Sequence, residues 1–360
     1  MREFRCRTKI ICGSGAVSQL QQLKPQRLFL VTDPYFAKNG VAQRIAKESG
    51  AGAVEIFQEV IPDPSVAVAA KGAAAVKAFR PDLLVALGGG SAMDCAKAMA
   101  YFSGLQMIFV AIPTTSGSGS EVTDFAILAH EHTKHPLVDE KLLPDIAILD
   151  DTLLEELPRS LIADTGFDVL THCLEAWAAT NATPMSDALA KEAFCTALGV
   201  LPASYDGCIA VRLQMHAAAT MAGMAFSQAG LGLCHAMAHV LGGLYHIPHG
   251  RLNAVLLPAV IECNASAAAE KYRILAQAAQ LGGSAKTLAV RNLKQALCRL
   301  RKQLHMPQTL TQCGVSREVL LKDSGHIVSA VLEDPCCQTN PRKVEPDMVR
   351  QALESVMGNG

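Results

Sequence analysis

The chain has 360 residues, and its 32 lysines and arginines are balanced by 33 aspartates and glutamates. Half of the residues are hydrophobic and only 18% are charged. We therefore expect a globular protein with an ample core, and we expect neither nucleic-acid binding nor attraction to an anionic membrane. The length suggests two domains.

The cysteines and the first residues indicate the compartment. Twelve cysteines are scattered along the chain without a C-x-x-C pair, and the opening MREFRCRTKI lacks an apolar signal core. No window reaches the unbroken apolar length of a membrane span. We expect reduced thiols and a cytoplasmic location.

Short apolar strands alternate with helices in the first half of the chain. We predict strands at 27–33, 54–57, 83–87, 107–112 and 146–149, and helices at 39–49, at 66–79 and over the segment that holds Asp94 and Lys97. This alternation is typical of a parallel, doubly wound sheet. After about residue 158, alanine, leucine and methionine recur at helical spacing. The prediction is an α/β dinucleotide-binding domain at 1–157 and an all-α domain at 158–360.

Two glycine-rich segments follow predicted strands. GGGSAMD covers Gly88–Asp94, and SGSGSE covers Ser116–Glu121. Glycine lets a phosphate approach backbone N–H groups, and the following helix N-terminus favours the negative charge. Neither segment has the G-x-G-x-x-G pattern, and each alone could be a simple tight turn. Because both follow neighbouring strands, we expect a ligand crevice at that edge of the sheet.

An acidic residue ends the first long predicted strand. The carboxylate of Asp33 can accept hydrogen bonds from a ribose diol and would repel a 2′-phosphate, which favours NAD over NADP. An aspartate at a strand end is also a common turn residue.

The segment LGLCHAMAHVLGGLYHIPHG holds four histidines: His235, His239, His246 and His249. The first two are four residues apart and share a helical face. We expect Gly242 and Gly243 to loosen this helix, and Pro248 makes an uninterrupted helix through His249 unfavourable. A lone histidine on an apolar helix is usually a core residue, which is the default interpretation for His239 and His246.

A second i,i+4 pair lies upstream in DVLTHCLEAW. Asp168 and His172 share a helical face, and an aspartate in an alanine- and leucine-rich helix is costly to bury unless it is paired or bound to metal. Asp168, His172, His235 and His249 together therefore predict a site for a divalent transition metal. Spacing alone does not choose between His235 and His239.

A further histidine cluster, HEHTKH, contains His130, His132 and His135. Its spacing resembles that of metal ligands. The flanking charges and the lack of an apolar pattern favour a solvated loop.

At this point the motifs resemble those of the iron-containing (group III) alcohol dehydrogenases. The matching segments are GGGSAMDCAK, PTTSGSGSEVT, TGFDVLTHCLEAW, GLGLCHAMAHVLGG, HIPHG and TNPR, in the family's order. Within the family, FDVLTHCLEAW and AGMAFSQAGLGL look most like the 1-propanol and ethanol dehydrogenases of bacterial microcompartments for propanediol or ethanolamine utilisation. Cys234 and Asp164 depart from the residues that many members have at these positions.

The resemblance implies an N-terminal Rossmann-like α/β domain, an all-α C-terminal domain and a cleft between them, the architecture shared with dehydroquinate synthase. It implies Fe²⁺, with Zn²⁺ as an alternative, on Asp168, His172, His235 and His249. His239 would lie near the metal, facing the nicotinamide and substrate, and Phe226 would be a wall of the substrate pocket. NAD(H) would contact a set of residues in the first half: Asp33, Gly89, Gly90, Ser91, Asp94, Thr114, Thr115, Ser118 and Lys134.

The implied activity is reversible hydride transfer between NAD(H) and a short-chain primary alcohol or aldehyde, with the metal as Lewis acid. His239 is expected to be either a proton relay or an orienting residue. The enzymatic alternatives are a glycerol- or lactaldehyde-type polyol dehydrogenase and a dehydroquinate-synthase-like lyase. A non-catalytic microcompartment component is the alternative from another class. We expect the chain to form a homodimer or a larger homo-oligomer. Its other expected partners are an aldehyde dehydrogenase or shell proteins of a microcompartment.

Overall fold

The computed structural model describes residues 4–130 and 133–358. On either side of the gap, the side chains of His130, Thr133 and Lys134 are not described. The chain forms two compact units, Arg5–Leu157 and the part from Pro158 onward.

The first unit is built on a six-stranded sheet in which every neighbouring pair is parallel, in the order β1-β8-β5-β4-β2-β3. The strands are β1 (Lys9–Cys12), β2 (Arg27–Thr32), β3 (Ala53–Phe57), β4 (Leu83–Gly88), β5 (Ile108–Pro113) and β8 (Ile146–Leu149). A separate antiparallel hairpin consists of β6 (Phe125–His130) and β7 (Thr133–Val138).

Both faces of the parallel sheet are buried, because successive residues of each central strand enter different cores. In β2, Leu28 and Leu30 belong to one apolar cluster, whereas Phe29 and Val31 belong to the other. This is why the central strands read as unbroken apolar runs without a polar face. The helices of this unit are α1 (Pro34–Lys38), α2 (Val41–Glu48), α3 (Val66–Phe79) and α4 (Gly90–Ser103), with short 3-10 helices at Ala16–Leu23, Ser120–Val122, Glu140–Leu142 and Asp151–Leu154.

The structure corrects two predictions in this unit. Where the structure describes HEHTKH, the expected loop is wrong, because His130 ends β6 and His135 lies within β7, although His135 is exposed as a solvated segment requires. His132 lies outside the described residues. The predicted helix at 39–49 is shorter, because it begins at Val41 after a turn at Gly40 with φ 83°, and a separate short helix, α1, precedes it.

The second unit is helical. Its α-helices are α5 (Arg159–Ala178), α6 (Pro184–Tyr205), α7 (Arg212–Ala229), α8 (Leu233–Tyr245), α9 (His249–Ala278), α10 (Lys286–Gln303), α11 (Arg317–Glu333) and α12 (Pro346–Met357), with 3-10 helices at Ile209–Val211 and Pro335–Thr339. Helix α5 packs against α6, α7 and α9. Sixteen of its residues are buried, so its polar side chains lie inside the unit.

Helices α8 and α9 are separated by a short break that decides where the histidines lie. We expected the chain to loosen at Gly242 and Gly243, but α8 continues through both glycines to Tyr245. The break comes at His246, which ends α8 in the left-handed conformation with φ 54°, and at Pro248, which precedes α9. Glycine in a helix interior is tolerated when packing holds the helix, and Gly242 is buried here.

Helix α9 is the longest element, with 30 residues. It is long and apolar enough to cross a membrane by length and composition, but 67% of its most apolar window is buried inside the unit. Pro258 interrupts its hydrogen bonds, since proline has no N–H for the carbonyl of Ala254. The buried Arg301 of α10 supplies the missing donor, with Nη1 3.0 Å from that oxygen. The helix therefore behaves as a core element of this unit.

Candidate active site

The strand order creates a topological switch point between β2 and β4. From β2 the chain moves to β3 on one side, whereas β4 and β5 lie on the other side. Open parallel sheets bind ligands outside the carboxyl ends of the strands at such a point. Asp33 directly follows β2, and Gly89 directly follows β4. The predicted ribose and pyrophosphate residues therefore meet at this edge of the sheet.

The two glycine-rich loops touch each other. Gly88 has φ 150°, a conformation that favours glycine. A Cβ added to Gly89 would lie 3.2 Å from Oγ1 of Thr115, and one added to Gly90 would lie 3.1 Å from Oγ of Ser118. The absence of side chains thus allows the loops to pack closely at the N-terminus of α4, where free N–H groups suit a phosphate.

Two other predicted cofactor residues, Asp33 and Thr114, have structural contacts in the same unit. Asp33 caps α1, because its Oδ1 accepts hydrogen bonds from the backbone N–H groups of Tyr35 and Phe36. Its Oδ2 lies 3.6 Å from the position of a Cβ on Gly88. Thr114 is buried and donates its backbone N–H to the carbonyl of Gly88.

Asp94 lies within α4 and ties the following segments to it. Its carboxylate accepts hydrogen bonds from Ser120 Oγ at 2.7 Å and from the backbone N–H of Ile127 at 3.1 Å. Ser91 lies in the first turn of the same helix. Lys134 is on β7, but its side chain lies outside the described residues, so its predicted contact has no structural account.

In the helical unit, three imidazoles converge on one carboxylate oxygen. Oδ1 of Asp168 lies 3.7 Å from Nε2 of His172, 3.6 Å from Nε2 of His235 and 3.5 Å from Nε2 of His249. Asp168 and His172 come from α5, His235 from the first turn of α8, and His249 from the first residue of α9. Because the chain breaks between α8 and α9, each of these two helices contributes one histidine to the group.

The distances from Asp168 fit a shared metal ion. Ligand atoms of Asp168, His235 and His249 also lie within 4.8 Å of one another, a group that does not include His172. Ligand atoms held about 2.1 Å from one ion in tetrahedral geometry lie about 3.4 Å apart, close to the separations found here. Imidazole and carboxylate together suit a divalent iron or zinc ion. The donor set is also mostly buried, although the side chain of His249 is 33% exposed, so an ion has a route in.

Two residues that the sequence analysis did not identify hold the ligands. Glu175 lies one turn after His172 on α5, and its Oε2 is 2.7 Å from Nδ1 of His235. The same carboxylate accepts backbone N–H groups of Gly232 and Cys234 at the start of α8. It therefore directs Nε2 of His235 toward the other ligands, as a carboxylate behind a metal-bound histidine does.

Asn253 is the second supporting residue. It is fully buried, one turn after His249 on α9, and its Nδ2 donates to Oδ1 of Asp168 at 2.8 Å. The Sγ of Cys234 lies 3.7 Å from Oδ1 of Asn253. The thiol of Cys234 is fully buried, and burial together with the charge of Glu175 raises its pKa well above the ordinary value.

The close packing of Asp168 and the three histidines shifts their pKa values in different directions. Burial alone would raise the pKa of Asp168, but the charges of His172 and His249 and the contact with His235 hold it well below its usual range. Burial alone would lower the pKa of His235, but its hydrogen bonds to Asp168 and Glu175 raise that pKa to about 9. Burial depresses the pKa of His249. The site thus keeps an anionic oxygen available for a cation.

His239 lies beside the ligands and has a different partner. Its ring stacks on that of His249, with centroids 5.3 Å apart, and its Nδ1 is 2.9 Å from Oδ2 of Asp334. Burial alone would raise the pKa of Asp334, but the hydrogen bond from His239 lowers it. The predicted pocket residue Phe226 is buried and stacks on His172, with centroids 4.3 Å apart.

Asp164, which like Cys234 departs from the pattern of many family members, forms an ion pair with Arg251. Nε and Nη2 of Arg251 lie 3.2 and 2.9 Å from its two carboxylate oxygens. This fork joins α5, one turn before Asp168, to the start of α9, two residues after His249. It therefore helps to fix the distance between two ligand-bearing helices.

A glycine-rich edge on a parallel sheet and a group of three histidines around one carboxylate are the features expected of a metal-dependent dehydrogenase. Residues 7–151 match the iron-containing alcohol dehydrogenase family, and residues 162–357 match the C-terminal domain of the Fe-containing alcohol dehydrogenase family. The chain belongs to the iron-containing alcohol dehydrogenases, and it is an oxidoreductase that interconverts alcohols and aldehydes.

Individual relatives are similar over their whole length. The chain is 38% identical to 1-propanol dehydrogenase PduQ of Citrobacter freundii, covering 99% of this chain and 100% of the relative. It is 36% identical to the NADPH-dependent butanol dehydrogenase of Clostridium saccharobutylicum, covering 99% and 98%. The solved 1,3-propanediol oxidoreductase is 31% identical with a TM-score of 0.93, covering 99% and 100% of the two chains. The resemblance found from the motifs is therefore confirmed, as is the fold class.

Proposed function

We propose that this protein is an iron-dependent, NAD(H)-linked dehydrogenase of short-chain primary alcohols, with propanol/propanal or ethanol/acetaldehyde as substrates. The convergence of three imidazoles on the Asp168 oxygen supports the metal-dependent step. The full-length likeness to a 1-propanol dehydrogenase supports the substrate class.

In this proposal, Asp168, His172, His235 and His249 hold Fe²⁺, with Zn²⁺ as the alternative. The ion, when bound, supplies a Lewis acid for the alcohol or aldehyde oxygen. Glu175 keeps His235 in the tautomer that presents Nε2 inward. Phe226, stacked on His172, gives this side of the site an apolar wall that suits a short alkyl chain.

His239 is the proposed proton carrier. Asp334 accepts a hydrogen bond from its Nδ1, which fixes the ring and leaves the other nitrogen for the substrate proton. The side chain is 31% exposed, so the proton can be exchanged with water. If His239 only orients its neighbours, its removal will alter KM more than the pH profile of kcat.

We propose that NAD(H) binds at the switch-point edge of the sheet. Asp33 contacts the adenosine ribose, and the remainder of NAD(H) contacts Gly89, Gly90, Ser91, Asp94, Thr114, Thr115, Ser118 and Lys134. The carboxylate of Asp33 disfavours a 2′-phosphate by charge repulsion. One relative is named as NADPH-dependent, so coenzyme preference needs its own measurement.

We expect the unmodified protein to prefer NADH over NADPH in kcat/KM, and Asp33→Asn to narrow that preference. Asparagine removes the charge but keeps an oxygen for the α1 cap, so the local fold is retained. Steady-state kinetics with both coenzymes measures this. Equal kcat/KM values in the unmodified protein would refute the proposed role of Asp33.

The substrate class is tested by aldehyde reduction with the iron-loaded protein and NADH. We expect propanal and acetaldehyde to give higher kcat/KM values than lactaldehyde, and propanol to exceed glycerol in the reverse direction. Preference for lactaldehyde or glycerol would favour the polyol dehydrogenase alternative. A protein that binds iron and NADH but reduces no aldehyde would favour a non-catalytic component.

We further propose a homodimer or larger homo-oligomer in the cytoplasm, encapsulated in a microcompartment with an aldehyde dehydrogenase and shell proteins. The support is the full-length likeness to 1-propanol dehydrogenase PduQ, together with the motifs that resemble those of microcompartment enzymes. Light scattering of the purified protein tests the oligomer, and co-purification with shell proteins from the native host tests encapsulation. A monomer in the light-scattering experiment would count against the oligomer. Purification without shell proteins would count against encapsulation.

A further inference from the structure

Beside the predicted iron site lies a second group of metal-binding side chains. Ligand atoms of His239, Asp334 and Cys336 all lie within 4.8 Å of one another. We call these three residues the thiol cluster. The iron-site interpretation uses none of its atoms as a ligand, and imidazole, carboxylate and thiolate are the three donors that zinc prefers.

The backbone fixes two members of the thiol cluster. Asp334 precedes the 3-10 helix Pro335–Thr339, and its Oδ1 accepts the backbone N–H of Cys336 at 2.8 Å. Its other oxygen, Oδ2, faces Nδ1 of His239 at 2.9 Å. A cation can therefore replace the proton between Oδ2 and Nδ1 while the turn stays in place.

The spacing and exposure suit a small thiophilic ion. Zinc at about 2.1 Å from N and O and 2.3 Å from S holds these atoms about 3.4–3.6 Å apart, so side-chain shifts of roughly 1 Å close the cluster around it. The side chains of His239 and Asp334 are 31% and 12% exposed, and Cys336 is half-buried, so solvent reaches the group.

We propose that the thiol cluster binds one Zn²⁺ in addition to the metal of the iron site, and that this zinc inhibits the enzyme. The inhibition follows because a neutral imidazole carries one proton: with zinc on Nδ1 that proton lies on Nε2, which then cannot take up a second proton. That part rests on the proposed role of His239, whereas the binding does not.

The adjacent cysteine provides a matched control. Sγ of Cys337 lies 3.0 Å from the carbonyl oxygen of Val331, and Cys337 is not part of the thiol cluster. Cys336→Ser and Cys337→Ser therefore make the same chemical change at neighbouring positions, and only the first removes a proposed ligand.

Binding is measured on protein whose iron site is already filled with zinc, so that added Zn²⁺ has nothing to displace. Equilibrium dialysis with elemental analysis should give a second equivalent per chain for the unmodified protein and for Cys337→Ser. Cys336→Ser should need at least about tenfold more free Zn²⁺ for that equivalent. No second equivalent in the unmodified protein, or an unchanged one in Cys336→Ser, overturns the proposal.

Inhibition is measured on the iron-loaded enzyme during propanal reduction. Added Zn²⁺ should slow turnover while the protein retains its iron, and Cys336→Ser should resist it whereas Cys337→Ser should not. Loss of iron in step with activity would mean displacement at the iron site and would overturn the inhibitory role. If no aldehyde is reduced at all, the proposed function fails, and the dialysis experiment still decides the binding.

Discussion

At the scale of single residues, Glu175 connects the start of one helix to a predicted metal ligand. It is 5% exposed and its one carboxylate joins the N-terminus of α8 to the ring of His235. The charge compensates backbone N–H groups that the helix leaves unpaired, and the same oxygens set the histidine tautomer.

We predict that Glu175→Gln weakens metal binding about 10–100-fold, because glutamine keeps the shape but lowers the basicity of the His235 ring. Competition with a chelator of known affinity measures the change. Glu192→Gln, an exposed position on α6, is the control and should not alter affinity. Unchanged affinity in Glu175→Gln would show that Glu175 serves only the helix end.

Lys97 is a second buried charge, in the sheet unit. Its Nζ donates to the carbonyls of Thr123 and Phe125 and to Oγ1 of Thr123, at 2.8–2.9 Å. Burial lowers the pKa of its ammonium from 10.5 to about 8, against the opposing charges of Asp94, Glu121 and Asp124. In the unfolded chain, the Lys97 ammonium has its ordinary pKa of 10.5.

The sign of the pH effect follows from that difference. Between the folded pKa of about 8 and the unfolded value of 10.5, the unfolded chain binds more protons. Stability contributed by Lys97 therefore rises with pH in this window. We predict that the melting temperature of the unmodified protein increases relative to that of Lys97→Met from neutral pH upward through this window. A difference in melting temperature that does not change with pH would contradict the lowered pKa of Lys97.

Several residues could be named from the sequence and others could not. Paired spacing and the cost of burying an aspartate identified Asp168 and His172. Glu175 was missed because its partner His235 lies 60 residues away, and Asp334 because it is 95 residues from His239. Local periodicity shows that a charged residue shares a helical face with a ligand, but it does not show which distant side chain it meets.

At the scale of elements, the start of α9 is a tight contact. A Cβ on Gly250 would lie 1.9 Å from the backbone oxygen of Asp164 on α5. Only glycine permits this approach, which places His249 opposite Asp168 and brings Arg251 within reach of Asp164.

We predict that Gly250→Ala lowers stability by about 1–3 kcal/mol and also weakens metal binding, since the clash is with backbone and moves the adjacent His249. Gly199→Ala, at an exposed position of α6, is the control, because a Cβ there meets nothing within 4 Å. It should raise stability by about 0.5–1 kcal/mol. Thermal unfolding of the metal-free proteins gives both values, and a neutral Gly250→Ala would contradict the close approach.

Elements were predictable where burial was uniform. The central strands could be predicted because both faces of the sheet are covered and their residues are almost all apolar. Helix α3 could be predicted because it is rich in alanine and valine, although only four of its residues are buried. Strand β1 was missed because three of its four residues are exposed, so it carries no apolar pattern. The hairpin was missed because the histidines and charges of HEHTKH suggested a loop, although the strand before it, β6, is an apolar run from Phe125 to Ala129.

At the scale of the whole molecule, the strand order and the helix breaks explain why distant motifs work together within each unit. The switch point between β2 and β4 gathers the glycine-rich loops, and the break between α8 and α9 gathers the histidines. The order of the motifs along the chain is enough to indicate the family. Spacing alone left His235 and His239 equivalent, because two residues one helical turn apart point the same way.

The most direct test of this account is metal content measured by elemental analysis in the unmodified protein, His235→Ala and His239→Ala, each loaded with iron under anaerobic conditions and assayed for propanal reduction with NADH. We predict that His235→Ala loses both iron and activity. His239→Ala should keep most of its iron but show a lower kcat with an altered pH profile, because its ring holds a proton and not the metal. Iron loss in His239→Ala as severe as in His235→Ala would contradict the ligand set.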